Sequence, residues 1–115
     1  MEKDNINFLI YNHENYVSKT ELDSKIKYLD EQFIINNKEK DHFDHSQYWC
    51  GLRDISSQLN WVSLPNMNGD IYAKKVDLIN LIKKEKKAKL TTGISKEYLM
   101  HMELAFNDLE NLISV

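Results

Sequence analysis

The stretch "VSKTELDSKIKYLDEQFIINN", residues 17–37, decides the fold class because it carries both a helix start and a helical face that can be buried. Ser18 has the side chain of an N-cap residue, and Glu21 three positions later completes a capping box. Val17 and Leu22 stand where a hydrophobic staple places its two apolar residues. We expect the helix to end at the asparagine pair that closes the stretch. Its predicted buried stripe is Leu22, Ile26, Leu29 and Phe33.

A capping box and a hydrophobic staple also predict the start of a second helix in "KDHFDHSQYWC", residues 40–50. Asp44 is the predicted N-cap, a glutamine follows three positions later, and Phe43 with Tyr48 forms a staple. The helix is predicted over about residues 45–60. Its inward stripe is Tyr48, Leu52, Ile55 and Leu59.

Two interpretations fit the next segment, "NWVSLPNMNGDIYAKKVDLINLIKKEKKAKL". In one, a helix begins at Asp70. In the other, "WVSL" and "IYAKK" form a β-hairpin over about residues 61–74, and Asp77 caps a shorter helix. We favour the hairpin, because a helix from Asp70 would place Lys75 in the middle of its apolar arc.

A last helix is predicted after Ser95 as N-cap, with Ile94 and Leu99 as its staple. Its buried face is Leu99, Met102, Phe106, Leu109 and Ile113. With 42% apolar residues, a chain of 115 residues can form one core. The sequence therefore predicts a mainly α protein: a single domain, 1–115, folded as a compact bundle of about four helices with one small β-hairpin at about 61–74.

The composition of the chain argues against nucleic-acid binding, a disulfide framework and a membrane span. The net charge is −3 and Arg53 is the only arginine, so tight binding to nucleic acid phosphates is not favoured. A single cysteine, Cys50, forms no intramolecular disulfide and fits a reducing compartment. No apolar run is long enough for a membrane span and no basic leader is apparent, so we expect a cytoplasmic protein. Abundant Lys, Asn and Ile suggest an AT-rich bacterial or phage genome.

Two groups of histidine and acidic residues could suggest a metal site or a catalytic site, but a structural interpretation explains each of them. His42 and His45 with nearby aspartates resemble part of a metal site, but nothing completes a zinc or iron pattern, and we expect a solvated helix start. Glu97, His101 and Asp108 share one face of the last helix, which we also expect to be solvated. The three glycines are too scattered for a phosphate-binding loop. We therefore expect no enzymatic activity, no metal and no cofactor.

A helix, a hairpin and a helix over about residues 45–89 resemble the layout of winged-helix DNA binders of the excisionase-like or MerR type. The resemblance implies DNA binding, with the lysines of "KKEKKAK", residues 83–89, on phosphates. The sequence departs from the pattern because it leaves no room for a separate recognition helix before the hairpin. A lysine run also complements the dipole at a helix C-terminus.

The preferred hypothesis is a small protein that binds and occludes a partner protein, as immunity proteins, antitoxins and phage anti-defence inhibitors do. The acidic balance suits a basic, nucleic-acid-binding partner protein. Large aromatic residues away from the predicted stripes, beside an arginine, are typical of interface anchors. The predicted interface residues are Trp49, Arg53, Trp61 and Tyr72. For Trp49 a core position remains the alternative.

Overall fold

The computed structural model describes residues 5–37, 42–65, 69–90 and 96–113, with the backbone alone at 42–44, 89–90 and 96–99. Over these residues the architecture is mainly α-helical with four helices, as predicted, and it includes a small three-stranded antiparallel sheet. In chain order the elements are β1 (Leu9–Tyr11), β2 (Glu14–Ser18), α1 (Lys19–Asn36), α2 (His42–Gln58), β3 (Tyr72–Lys74), α3 (Lys75–Leu90) and α4 (Lys96–Ile113).

The sheet is built around an N-terminal hairpin that the sequence analysis did not predict. Strands β1 and β2 pair with Tyr11 opposite Glu14, and the two-residue turn between them is Asn12 and His13. Both turn residues have positive φ, at 54° and 68°, which is the backbone of the primed turns that suit the twist of a hairpin. Asparagine tolerates this conformation better than most residues, so Asn12 was the available sequence signal.

The predicted hairpin over residues 61–74 is only partly correct. Its second arm contains β3, but β3 pairs along its length with β2, with Val17 opposite Ala73. The first arm contributes one bridge, in which Val62 and Tyr72 exchange hydrogen bonds of 2.8 and 2.7 Å. Leu64 of this arm is buried in an apolar cluster with Tyr16 and Tyr72.

The start of α1 is capped from two directions. Ser18 Oγ accepts a 3.0 Å hydrogen bond from the Glu21 amide, as the capping box predicts. Val17 and Leu22, the predicted staple, are both fully buried. From the strand side, the Lys19 amide donates to the Ile71 carbonyl at 2.8 Å. The first turn of α1 is thereby attached to the segment that leads into β3.

Asp70 adds a carboxylate to this cap. Partial burial raises its pKa, but hydrogen bonds from the Ile71 amide, Thr20 and Ser18 outweigh that effect and hold the pKa below its usual value of 3.8. A carboxylate whose pKa is depressed by folding stabilises the fold above its unfolded-state pKa and loses this contribution as the pH falls through the folded value.

We therefore expect Asp70→Asn to lower stability at neutral pH, and the difference from the wild type to shrink below about pH 3.8. Urea denaturation from pH 7 down to acid measures both effects. Glu31→Gln, at an exposed position within α1 and away from its first turn, serves as the matched control. A wild-type advantage over Asp70→Asn that stays constant into acid would contradict this linkage.

Two predicted helix starts are wrong by a few residues. Helix α2 begins at His42, so Asp44 lies inside the helix and is not its N-cap. Helix α3 begins at Lys75, directly after β3, so Asp77 lies in its first turn, and Val76 is 53% exposed and forms no staple. Acidic residues also stabilise the first turn through the helix dipole, so their positions locate a start only approximately.

The predicted stripes form the core. All four residues of the α1 stripe and all four of the α2 stripe are buried. On α4, Phe106, Leu109 and Ile113 are buried and Met102 is half-buried. The predicted cap at Ser95, and the Ile94 and Leu99 side chains of the staple, lie outside what the structure describes.

Helices α2 and α4 cross at a point where both have small residues. A Cβ atom at Gly51 would lie 2.9 Å from the Ala105 Cβ and 3.1 Å from the Met102 carbonyl oxygen. Real Cβ contacts of 2.9 Å essentially do not occur. Glycine therefore sets the distance between these two helices.

Candidate functional site

Trp49 and Arg53 form a surface pair on α2, which we call the Trp49–Arg53 patch. The guanidinium carbon lies 5.6 Å from the centroid of the tryptophan ring, within the range of a cation–π interaction. Trp49 is 36% exposed and Arg53 is exposed. The structure thus places Trp49 at the surface, partly covered, one helical turn from Arg53.

The patch lies on a part of α2 that is fastened to α1 at both ends. Before it, His45 Nε2 lies 2.7 Å from an Asp30 carboxylate oxygen. After it, the Ser56 hydroxyl donates to Asp23 at 3.2 Å. His45 and Ser56 share the side of α2 that carries Trp49, because the three positions repeat at helical spacing. A patch held in this way loses little conformational freedom on binding.

The other two predicted interface residues, Trp61 and Tyr72, are less exposed than Trp49. Trp61 is half-buried against the core, and its indole N–H donates to the Ser56 carbonyl at 2.8 Å. Tyr72 is only 7% exposed and packs with Tyr16 and Leu64 in the smaller apolar cluster. Tyr72 is therefore a structural residue of β3 and offers no surface for a partner. Tyr72 was predicted at the interface because it lies away from the helical stripes, whereas packing with Tyr16, which is distant in sequence, buries it.

A cleft of about 390 Å³ opens between α1 and α4, and we call it the Phe33 cleft. Phe33 and Tyr48 line it as stacked rings, with centroids 4.3 Å apart and planes 17° from parallel. Its other lining side chains include Tyr28, Gln32, Asn36, Leu104 and Asp108. Tyr28, Gln32 and Asn36 follow each other at four-residue spacing beside the apolar stripe of α1, and this polar row was the available sequence signal.

Asp108 is the charged group of the cleft. Its Oδ2 atom accepts a 2.7 Å hydrogen bond from the Tyr48 hydroxyl. Burial of the phenol, and next its contact with Asp108, raise the pKa of Tyr48 above its usual value. The phenol therefore stays protonated and acts as a donor that orients the carboxylate.

The face of α4 expected to be solvated is partly internal. His101 is 5% exposed and meets the Phe33 ring edge to face, with centroids 5.7 Å apart. Asp108 faces Tyr48, and Leu104 is 39% exposed at the cleft. The expectation of a solvated face is wrong because His101 packs as an aromatic ring beneath Phe33. The side chain of Glu97 lies outside what the structure describes.

Within the described residues, no three histidine, cysteine or carboxylate side chains are grouped to hold a metal ion. The side chains of His42 and Asp44 are not among those residues. His45 contacts Asp30 and stacks on Phe33, with centroids 6.2 Å apart, so it is not merely part of a solvated helix start. Cys50 is a free thiol at the surface.

The lysine run on α3 is divided by its contacts. Lys83, Lys84 and Lys87 are exposed, whereas Lys86 forms a 2.8 Å ion pair with Glu110 of α4. An ion pair to a neighbouring helix gives Lys86 a structural role. The run therefore offers fewer cations to a phosphate backbone than its sequence suggests.

Comparison with known proteins gave no match among family models, curated proteins or solved structures. Of the helices that the structure describes, none combines the length and the apolar character needed to span a membrane.

Proposed function

We propose that this is a non-enzymatic protein that binds a partner protein and occludes its working surface, as immunity proteins, antitoxins and phage anti-defence inhibitors do. The observation that carries the proposal is the Trp49–Arg53 patch, in which an arginine lies over a surface tryptophan at 5.6 Å. Tryptophan and arginine dominate the residues whose truncation most weakens protein interfaces. Occlusion requires only such a surface and no catalytic group.

Charge favours a basic partner. The protein carries a net charge of −3. A protein that binds nucleic acid presents a positively charged surface. An acidic protein is attracted to such a surface, which raises the rate at which the two proteins associate. We therefore propose a nuclease or another nucleic-acid-binding protein as the target, in the cytoplasm.

We expect Trp49→Ala to weaken binding to the partner by about thirtyfold, or about 2 kcal/mol, because the indole fills a site on the partner that alanine leaves empty. The measurement starts with two captures of partners by the wild-type protein from a lysate of its host, one with and one without nuclease treatment. Isothermal titration calorimetry with the purified partner then gives the affinity of each variant. Arg53→Ala should weaken binding in the same direction.

Val76→Ala is the matched control, because Val76 is an exposed apolar residue on α3, a different helix from the one that carries the patch. Thermal melts of each variant correct the affinities for any loss of folded protein. Equal affinity of Trp49→Ala and the wild type for the captured partner would reject the patch as the interface. Recovery of DNA alone, released by salt, would instead support a DNA-binding regulator acting through the exposed lysines of α3.

A further inference from the structure

We propose that the Phe33 cleft is a binding site for a guanidinium group, occupied by an arginine side chain of the partner protein. The source of the arginine rests on the proposed function above. The chemistry of the site rests on the cleft itself.

The charge of the lining selects a cation. Asp108 contributes a carboxylate, and among the side chains that the structure describes no lysine, arginine or histidine lines the cleft. The Tyr48 hydroxyl donates one hydrogen bond to this carboxylate, at Oδ2, and stays protonated. This bond fixes the orientation of the carboxylate and leaves its other oxygen, Oδ1, available as an acceptor. A hydrogen bond from a cation to a carboxylate oxygen is stronger than one between neutral groups.

The hydrogen-bonding groups of the lining select a guanidinium among cations. A guanidinium has five N–H donors in one plane and no acceptor, so it needs several oxygens around it. Asp108 and the side-chain oxygens of Gln32 and Asn36 supply them from α4 and α1. A lysine ammonium is more strongly hydrated and would leave more of these oxygens without a partner.

The apolar part of the cleft fits the rest of an arginine side chain. Leu104, which is 39% exposed, provides apolar surface for its methylene groups, above the buried rings of Phe33 and Tyr48. A volume of about 390 Å³ accommodates one long side chain. Tyr48 directly precedes Trp49 in α2, so the same helix contributes to the cleft and to the Trp49–Arg53 patch.

The test is a titration of the isolated protein with Nα-acetyl-argininamide, followed by amide chemical shifts in NMR spectra. Nα-acetyl-citrullinamide is the matched neutral probe, because a urea replaces the guanidinium with almost the same shape. We expect saturable shifts that centre on the cleft residues of α1 and α4, with the citrulline probe at least about tenfold weaker.

Two variants test the site itself. Asp108→Asn keeps an acceptor for Tyr48 but removes the charge, and should weaken the arginine probe by about tenfold. Leu104→Lys places a cation at the partly exposed edge of the cleft and should abolish binding even if Asp108→Asn proves unstable. Glu103→Gln, at a half-buried carboxylate on the same helix, is the control and should bind as the wild type does.

Equal shifts with both probes, or no saturable shifts at the cleft, would overturn the proposal. The small probes require no partner protein, so their result is independent of the capture experiment. Binding of the arginine probe without any captured partner would leave the cleft established and the proposed function rejected. A captured partner with no response to the probe would do the reverse.

Discussion

Phe33→Ala is expected to lower the free energy of unfolding by about 3–5 kcal/mol and the melting temperature by more than about 10 °C. Phe33 is 5% exposed, and its ring contacts α2 and α4 together. It stacks on Tyr48 at 4.3 Å between centroids and meets the edge of His101 at 5.7 Å. Removal of the ring leaves a cavity among three helices, and their surroundings relax only in part.

Two substitutions in the same helix make the measurement specific. Ile34→Ala removes an apolar side chain that is 47% exposed and should change stability by less than about 1 kcal/mol. Phe33→Leu keeps most of the apolar volume but loses the ring contacts. Its loss of unfolding free energy should therefore lie between those of Ile34→Ala and Phe33→Ala. Chemical denaturation of all three variants gives the comparison. A loss from Phe33→Ala no larger than that from Ile34→Ala would show that α1 does not pack as described.

Gly51→Val is expected to lower the free energy of unfolding by about 2–3 kcal/mol, through overpacking. Even one added carbon would lie 2.9 Å from the Ala105 Cβ and 3.1 Å from the Met102 carbonyl oxygen, so α2 and α4 must separate. Gly51→Ala should lose less, because alanine is smaller and is better than glycine in a helix by about 1 kcal/mol. Thermal and urea unfolding of both variants measure the series.

Cys50→Val is the control for this series, because it makes a β-branched substitution at the adjacent, exposed position of the same helix. It should cost less than about 1 kcal/mol. Combining Gly51→Ala with Ala105→Gly removes one of the two close contacts, so the double variant should lose less stability than the two single variants lose in sum. If Gly51→Val were as stable as Cys50→Val, the close crossing of α2 and α4 would be refuted.

The helix-rich fold was predictable from sequence because burial repeats at a fixed spacing. Leu22, Ile26, Leu29 and Phe33 are apolar at one face of a helix, and no other regular structure buries all four. Ser18 marked the start of α1 correctly because its hydroxyl makes a local hydrogen bond, to the Glu21 amide. Because this hydrogen bond joins residues only three positions apart, the sequence around Ser18 is enough to predict it.

The sheet was harder to predict because its pairing is not local. Strand β3 could pair with "WVSL" or with another strand, and its choice of β2 depends on residues far away in sequence. The site shows the same division. The spacing of Trp49 and Arg53 placed them together, whereas the Phe33 cleft needs Asp108 of α4 beside Gln32 of α1. The sequence pattern of each helix alone does not predict that these two residues line one cleft.

The pairing of β2 with β3 also orders the events of folding. Val17 and Ala73 become neighbours only after the chain between them, which contains α1 and α2, has been brought into a closed loop. Loop closure costs more entropy as the intervening chain grows, and contacts distant in sequence slow folding. Until that closure the β1–β2 hairpin has unpaired edges and carries Ile10, which is 75% exposed even in the native structure. Refolding at high concentration should therefore lose protein to intermolecular strand pairing at this hairpin, and dilution should recover it.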